Sequence, residues 1–211
     1  NVVNPDDVIN EFGADTLRIY EMFIGDFEKS APWSTSSIKG SKRFLDRAWA
    51  LMDMVDESEE YSKDLESLMH RTIKKVTEDI EALKFNTAIA AMMSLINEFY
   101  SKKSVTRGEL KTVILLLNPF APHITEEMWS IMNFGGMISD HAFPKYDEAK
   151  CEDKTAEYVI QICGKIKARL NMPVDCTKED IMKVAMENEN VKSSLEGKQI
   201  VKEIFVPGRL L

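Results

Sequence analysis

The residues best placed to do chemistry are cations set at helical spacing in Met69-His-Arg-Thr-Ile-Lys-Lys-Val-Thr-Glu-Asp-Ile80. Met69, Ile73, Val76, Ile80 and Leu83 advance by four, three, four and three residues, so they form one apolar stripe. Arg71, Lys74 and Lys75 then fall on another face, ringed by Glu78 and Asp79. A cationic helix face outside a packed seam suits a phosphate backbone. The plainer reading is a solvated face laced with i,i+4 pairs, Lys74 to Glu78 and Lys75 to Asp79. A second basic set is Lys165, Lys167 and Arg169, which alternate with Ile166 and Ala168. On a strand this alternation predicts three cations on one face and the apolar pair on the other. Its plainer reading is an exposed strand whose lysines discourage edge-to-edge aggregation.

Reactive constellations are missing. No Gly-rich phosphate loop, Ser/His/Asp signature or paired-carboxylate motif occurs. Cys151, Cys163 and Cys176 are odd in number and lack Cys-x-x-Cys spacing, which argues against both a disulfide framework and a zinc site. His123 has no second His or carboxylate at metal-ligand spacing and reads as a packing or polar-joint residue. With 44% hydrophobic and 29% charged residues, the 211-residue chain has the composition of a soluble protein of two modules. No apolar run approaches the ~18 residues of a membrane span. The net charge of −8 excludes binding of nucleic acid by overall basicity. The charge is uneven, with three cations against seven acids in residues 1–40, fourteen against eighteen in 41–150, and ten against ten in 151–211.

The elements that must position these residues are mostly helices. Asn4 before Pro5 is a helix start that Gly13 ends, and Asp15 to Ile24 makes a second helix closed by Gly25. Trp33 is expected to plug a joint between modules. A long helix from about Ser36 to Val55 carries Phe44, Ala48, Leu51 and Val55 on one stripe, with Lys42, Arg43 and Arg47 near its polar side. After an acidic linker, Asp56 to Glu60, come the helix with the cation face, a helix over Phe85 to Lys102, and an apolar one over Arg107 to Leu117 stopped by Pro119. A fifth bundle helix is expected over His123 to Met132, and Gly135-Gly136 begins an aperiodic connection through Lys154. Beyond it a hairpin of Ala156 to Ile162 and Lys165 to Asn171, a helix capped by Thr177, a short helix ended by Leu195-Glu-Gly197, and a strand over Gln199 to Val206 make a small α+β module. The expected fold is therefore a mainly α helical bundle followed by a small α+β C-terminal domain. Its divisions are a connecting segment at 1–36, the bundle at 37–135, a linker at 136–154 and the α+β domain at 155–211.

HRTIKKVTEDIEALKFNTAIAAMMSLINEF resembles the anticodon-binding helical bundle of bacterial-type leucyl-tRNA synthetases. Other segments agree in order: Asn1-Val-Val-Asn-Pro-Asp-Asp-Val8, Phe12-Gly-Ala-Asp-Thr-Leu-Arg-Ile-Tyr20 and Pro32-Trp-Ser-Thr-Ser36 resemble the run from the Lys-Met-Ser-Lys-Ser loop into that bundle. Leu117-Asn-Pro-Phe-Ala-Pro-His-Ile-Thr-Glu-Glu-Met-Trp129 is similar to a junction shared by the leucine, isoleucine, valine and methionine enzymes. Val159 to Arg169 and Ile204-Phe-Val-Pro-Gly-Arg-Leu210 resemble the C-terminal domain of the leucyl enzymes. Two departures stand out: Cys163 replaces the usual hairpin Asn, and Lys167 replaces an Arg, keeping charge but losing bidentate geometry.

The resemblance implies an excised part of a cytoplasmic enzyme that activates leucine with ATP and Mg²⁺ and transfers it to tRNA(Leu). Its catalytic and editing domains lie outside these residues, so the piece alone is inactive, has no cofactor of its own, and is a monomer whose partners are tRNA(Leu) and the parent catalytic domain. The bundle then lies along the anticodon stem and the α+β module touches the outer corner of the RNA, through backbone and shape rather than base edges. The tRNA-binding residues are expected to be Arg71, Lys74, Lys75, Lys165, Lys167, Arg169 and Arg209. The alternatives are the equivalent region of an isoleucyl, valyl or methionyl enzyme, or a helical protein-interaction module.

Overall fold

The computed structural model describes residues 3–25, 33–152, 155–174, 176–196, 200 and 203–206. Chain contacts divide it into a helical unit, Asn1–Cys151, and a smaller unit, Glu152–Leu211. The helical unit starts with α1 (Pro5–Phe12), whose N-cap Asn4 accepts the Asp6 N–H at 3.1 Å. Gly13, at φ 90°, ends α1 and leads into α2 (Ala14–Phe23). The next helix, α3 (Thr35–Ala50), is entered through Ser34 and tightens into a 3₁₀ turn, Leu51–Met54. Trp33 packs edge-on against Tyr20 at 5.0 Å and keeps 36% of its surface exposed, so it is only a partial plug.

The two central helices are α4 (Glu66–Glu81) and α5 (Phe85–Lys102), joined by a tight turn with Leu83 at φ 55°. Asp79, 4% exposed, fixes that turn by accepting from the Thr87 hydroxyl at 2.6 Å. The apolar helix α6 (Arg107–Leu117) opens on a capping box between Thr106 and Glu109. It is followed by α7 (Pro122–Ile131), with Pro in its first turn. The core runs through all of these, from Ile19 and Phe44 to Ile73, Ile89, Phe99, Ile114 and Trp129.

Two features of the helical unit carry no periodic signal. A two-residue strand, β1 (Val55–Asp56), pairs in parallel with β2 (Val105–Thr106). This pairing leads the acidic linker to the N-terminus of α6, where the Gly108 N–H donates to the Ser58 carbonyl at 3.1 Å. The stretch expected as a 136–154 linker instead folds, up to Cys151, onto the helical unit. It does so through short 3₁₀ turns at Ile138–Asp140 and Glu148–Lys150, and through Trp129, whose indole N–H donates to the Gly135 carbonyl at 3.0 Å. The segment at 1–36 likewise joins the unit wherever it is described, since α1 and α2 pack on one another and α2 packs on α3, α5 and α7.

The second unit is an antiparallel hairpin of β3 (Thr155–Ile162) and β4 (Lys165–Pro173), against which α8 (Lys178–Glu187) and α9 (Glu189–Leu195) pack. Tyr158, Ile160, Ile181, Ala185 and Val191 form its core. The strand expected over Gln199 to Val206 falls partly outside the described residues; within 203–206 only Val206 makes an isolated bridge. Among the described residues no helix is long and apolar enough to cross a membrane.

Candidate nucleic-acid interface

Helix α4 presents Arg71, Lys74 and Lys75 on one side because positions i, i+3 and i+4 are neighbours on a helix surface. Each already has a protein partner. The expected Lys74 to Glu78 pair does not form; Lys74 reaches Glu148 at 2.5 Å and lies 5.8 Å from the Tyr146 ring centre. The bond to Glu148 raises the Lys74 pKa. The expected Lys75 to Asp79 pair is present at 2.7 Å, with a half-exposed amine and a buried carboxylate. Arg71 is exposed and donates to the Cys151 carbonyl at 3.4 Å. A strap of residues 146–151 therefore runs along α4 and holds Lys74 as a strut.

His70 pins the same strap. Its ring is 8% exposed, sits edge-on to Tyr61 at 5.7 Å, and accepts the Asp147 N–H at Nδ1 over 3.0 Å, which requires the neutral imidazole. Lys150 of the strap pairs with Glu66 at 2.7 Å beside it. Burial, and then the Lys150 charge, lower the His70 pKa, while Glu66 and Asp147 oppose the shift. Because the unfolded chain takes up a proton near the ordinary value of 6.5, where folded His70 does not, stability falls as pH drops from 6.5 to the lowered folded value, and the loss is complete below it. His70→Asn keeps an acceptor for the Asp147 N–H and does not titrate. Urea unfolding between pH 7 and 5 is expected to show this loss in the wild type, and a difference from His70→Asn that is constant with pH would contradict it.

The surroundings of the cysteine on the strap disfavour a nucleophilic thiolate. Burial, and then Glu148, push the Cys151 thiol up, against the requirement for a thiolate. All three cysteines are free, and no group of three His, Cys, Asp or Glu side chains is arranged to hold a metal ion among the described residues. His123 is the polar joint expected of it. Its Nδ1 lies 2.8 Å from Asp15 Oδ1, and the other Asp15 oxygen accepts the Ile124 N–H at 2.7 Å, so the buried N-terminal carboxylate of α2 caps α7.

In the second unit the hairpin differs from simple alternation. The register pairs Gln161 with Ile166 and Ile160 with Ala168, leaving Lys167 as a bulge. One extra residue flips the alternation, so Ile166 is 53% exposed on the outer face with Arg169, while Ala168, Leu170 and Met172 pack inward. Lys165 lies opposite inward-facing Ile162 at the hairpin tip. The expected common face of Lys165, Lys167 and Arg169 is therefore not formed: Lys165 is exposed, Lys167 is half-buried, and Arg169 pairs with Glu157 at 3.1 Å. Arg209 lies outside the described residues. The turn itself keeps the I′ pattern, with Cys163 at φ 52° and Gly164 at φ 76°. A non-Gly residue in that region costs roughly 1–2 kcal/mol, a cost lower for the Asn usual there.

The sequence places Lys42, Arg43 and Arg47 near the polar side of α3, while the row that the helix actually files is Lys39, Arg43 and Arg47. Arg47 Nη1 donates to Asn97 Oδ1 at 2.7 Å, and its guanidinium lies 4.4 Å from the Tyr100 ring centre. The spacing of four residues was the available signal.

A family model described as the anticodon-binding domain of tRNA ligase matches residues 62–183. The chain is 54% identical over 210 residues to the leucine–tRNA ligase of Alkaliphilus oremlandii strain OhILAs, a match covering 100% of this chain and 26% of that protein. Among solved structures it is similar to the ternary complex of Agrobacterium radiobacter K84 agnB2 LeuRS, tRNA and LeuAMS, with a TM-score of 0.69 and 28% identity across 100% of this chain and 30% of that one. The chain thus spans less than a third of the length of these relatives. With a helical bundle that carries exposed cations on α3 and α4, and a family match over more than half its residues, the chain belongs to the family of the anticodon-binding domain of tRNA ligase.

Proposed function

We propose that this chain is the tRNA-holding part of a leucine–tRNA ligase, binding tRNA(Leu) so that its acceptor end reaches an active site on another part of a longer, monomeric, cytoplasmic protein. What carries the reading is 54% identity to a leucine–tRNA ligase along the whole chain, together with basic side chains presented on helices that a continuous core makes rigid. ATP and Mg²⁺ belong to the activating site of that longer protein. The present residues contribute binding energy spent on orientation, which turns a two-body encounter into a positioned one.

Arg71 and Lys75 are the α4 contacts of this proposal, since both are exposed; Lys75 keeps its bond to the buried Asp79 carboxylate while its half-exposed amine faces outward. Lys74 contributes indirectly, by holding the strap. In the second unit Lys165, Lys167 and Arg169 are separate backbone contacts rather than one basic face, and Arg209 completes the set. In the longer protein, Arg71→Gln with Lys75→Gln is expected to weaken tRNA binding roughly tenfold and to lower the slope of log K against log salt by about 1.5, while leucine-dependent ATP–pyrophosphate exchange stays near wild type. An equal loss of both activities would assign these residues to folding instead.

A further inference from the structure

We propose that α3, and not only α4, carries a seat for the RNA backbone, built from Lys39, Arg43, Arg47 and the α5 residue Asn97. It deepens the tRNA-binding reading above and rests on it. The protein has a net charge of −8, yet the sixteen residues of α3 hold Lys39, Lys42, Arg43 and Arg47 against a single acid, Asp46. Asp46 is taken by Lys42, one turn before it. The other three cations stand four residues apart, where like charges repel and destabilise the helix. Among the described residues none of the three has an ion-pair partner, a state they share with scattered cations such as Lys63, Lys84 and Lys103 but hold here as a row on one helix, whereas Lys74, Lys75, Lys102, Arg107 and Lys150 are paired. With acids in surplus, a row of self-repelling cations left unneutralised points to an anion supplied from outside.

The geometry suits a polyanion. The row rises by about 6 Å per step along the helix axis, comparable to the step between successive phosphates of a strand. Arg47 is already oriented, its guanidinium over the Tyr100 ring and one N–H bonded to Asn97, and a guanidinium carries five N–H donors in all. That order is paid before binding, as in other preformed arginine sites. The adjoining exposed crest of α5 is uncharged at Ser94, Asn97 and Ser101. Glu98, one residue on, lies about 100° further round the helix, on the side away from Tyr100. A small anion would use one arginine, whereas three cations in file match a chain of phosphates, and a folded RNA is the polyanion the family binds.

Fluorescence anisotropy of the chain with an in vitro transcript of a leucine-accepting tRNA, across a salt series, tests the seat. The Arg43 side chain makes no hydrogen bond or ion pair with another described residue, and Arg43→Gln should lower the slope of log K against log salt by about 0.7 to 0.9; Arg43→Gln with Arg47→Gln should lower it by about 1.4 to 1.8 and weaken binding roughly tenfold. Arg43→Lys with Arg47→Lys should keep the slope and lose part of the affinity. Unchanged affinity and slope in the double variant, with wild-type binding intact and melting curves unaltered, overturn the seat and leave the tRNA-binding reading standing. Wild-type protein that shows no salt-dependent binding overturns both. Polyglutamate binding that needs Arg43 and Arg47, alongside unaltered tRNA binding in the variants, assigns the row to an acidic protein and also overturns the proposal.

Discussion

Glu109→Ala is expected to destabilise the helical unit by about 3 kcal/mol, because it strips a buried carboxylate from several donors at once. Glu109 is 0% exposed. One oxygen accepts the Ser62 N–H at 2.8 Å and the Ser62 hydroxyl at 2.6 Å, and the other accepts the Thr106 N–H at 2.8 Å. Its own N–H donates to Thr106 Oγ1 at 3.0 Å, closing the capping box of α6. A carboxylate survives burial here because charge-assisted bonds replace its hydration and the positive end of α6 lies beneath it. Alanine leaves the Ser62 and Thr106 donors without their acceptor, and it also detaches the linker that leads into α4. For a domain of typical stability, about 5–15 kcal/mol, that is a large fraction. Urea denaturation read by circular dichroism measures it, with Glu109→Gln falling between because one carbonyl oxygen can still serve Ser62. A cost below about 1 kcal/mol would mean that these bonds are replaced by solvent.

Gly108→Ala is expected to have an effect of the sign opposite to helix propensity. Gly108 is in the first turn of α6, where propensity alone favours alanine by roughly 1 kcal/mol. A Cβ at this position would stand 2.1 Å from the Glu59 carbonyl oxygen and 2.8 Å from its carbon, both backbone atoms. Neither can move alone, since the Ser58 carbonyl accepts the Gly108 N–H and β1 pairs with β2 beside it. The chain over 56–60 must lift away, at a cost of about 2 to 3 kcal/mol that strains the β1–β2 pairing beside it. The same unfolding measurement checks it, and a stabilised Gly108→Ala would contradict the close approach of the linker to α6.

These two sites mark where sequence reading reached its limit. The bounds of α5 and α6 were legible because local signals agree: an apolar stripe at four-and-three spacing for α5, and Pro119 as the stop for α6, whereas the Thr106–Glu109 capping box that opens α6 went unread. The cap of α1 by Asn4 was legible for the same reason. The β1–β2 pairing was not, since two residues per strand carry no period and their partners lie about fifty positions apart. The strap was hidden because its hold on α4 is polar and irregular: Asp147 to His70, Glu148 to Lys74, Lys150 to Glu66. In the hairpin the alternation from Lys165 to Arg169 was real, but one bulged residue reversed which side chains face out, and strand periodicity assumes a register without insertions. Among the candidate contacts, residue type and exposure were readable for Arg71, Lys75 and Lys165. Whether a cation is already held by an acid depends on chain segments far apart in sequence, as with Lys74 and Glu148.

The most direct measurement is a filter-binding titration of this chain against a leucine-accepting tRNA transcript from about 50 to 200 mM salt, with an equal mass of an unstructured RNA of scrambled sequence alongside. Backbone recognition of a folded RNA predicts saturable binding to the tRNA, a log–log slope of several units from its phosphate contacts, and weaker binding to the scrambled RNA. Absent binding, or binding that does not respond to salt, would contradict it.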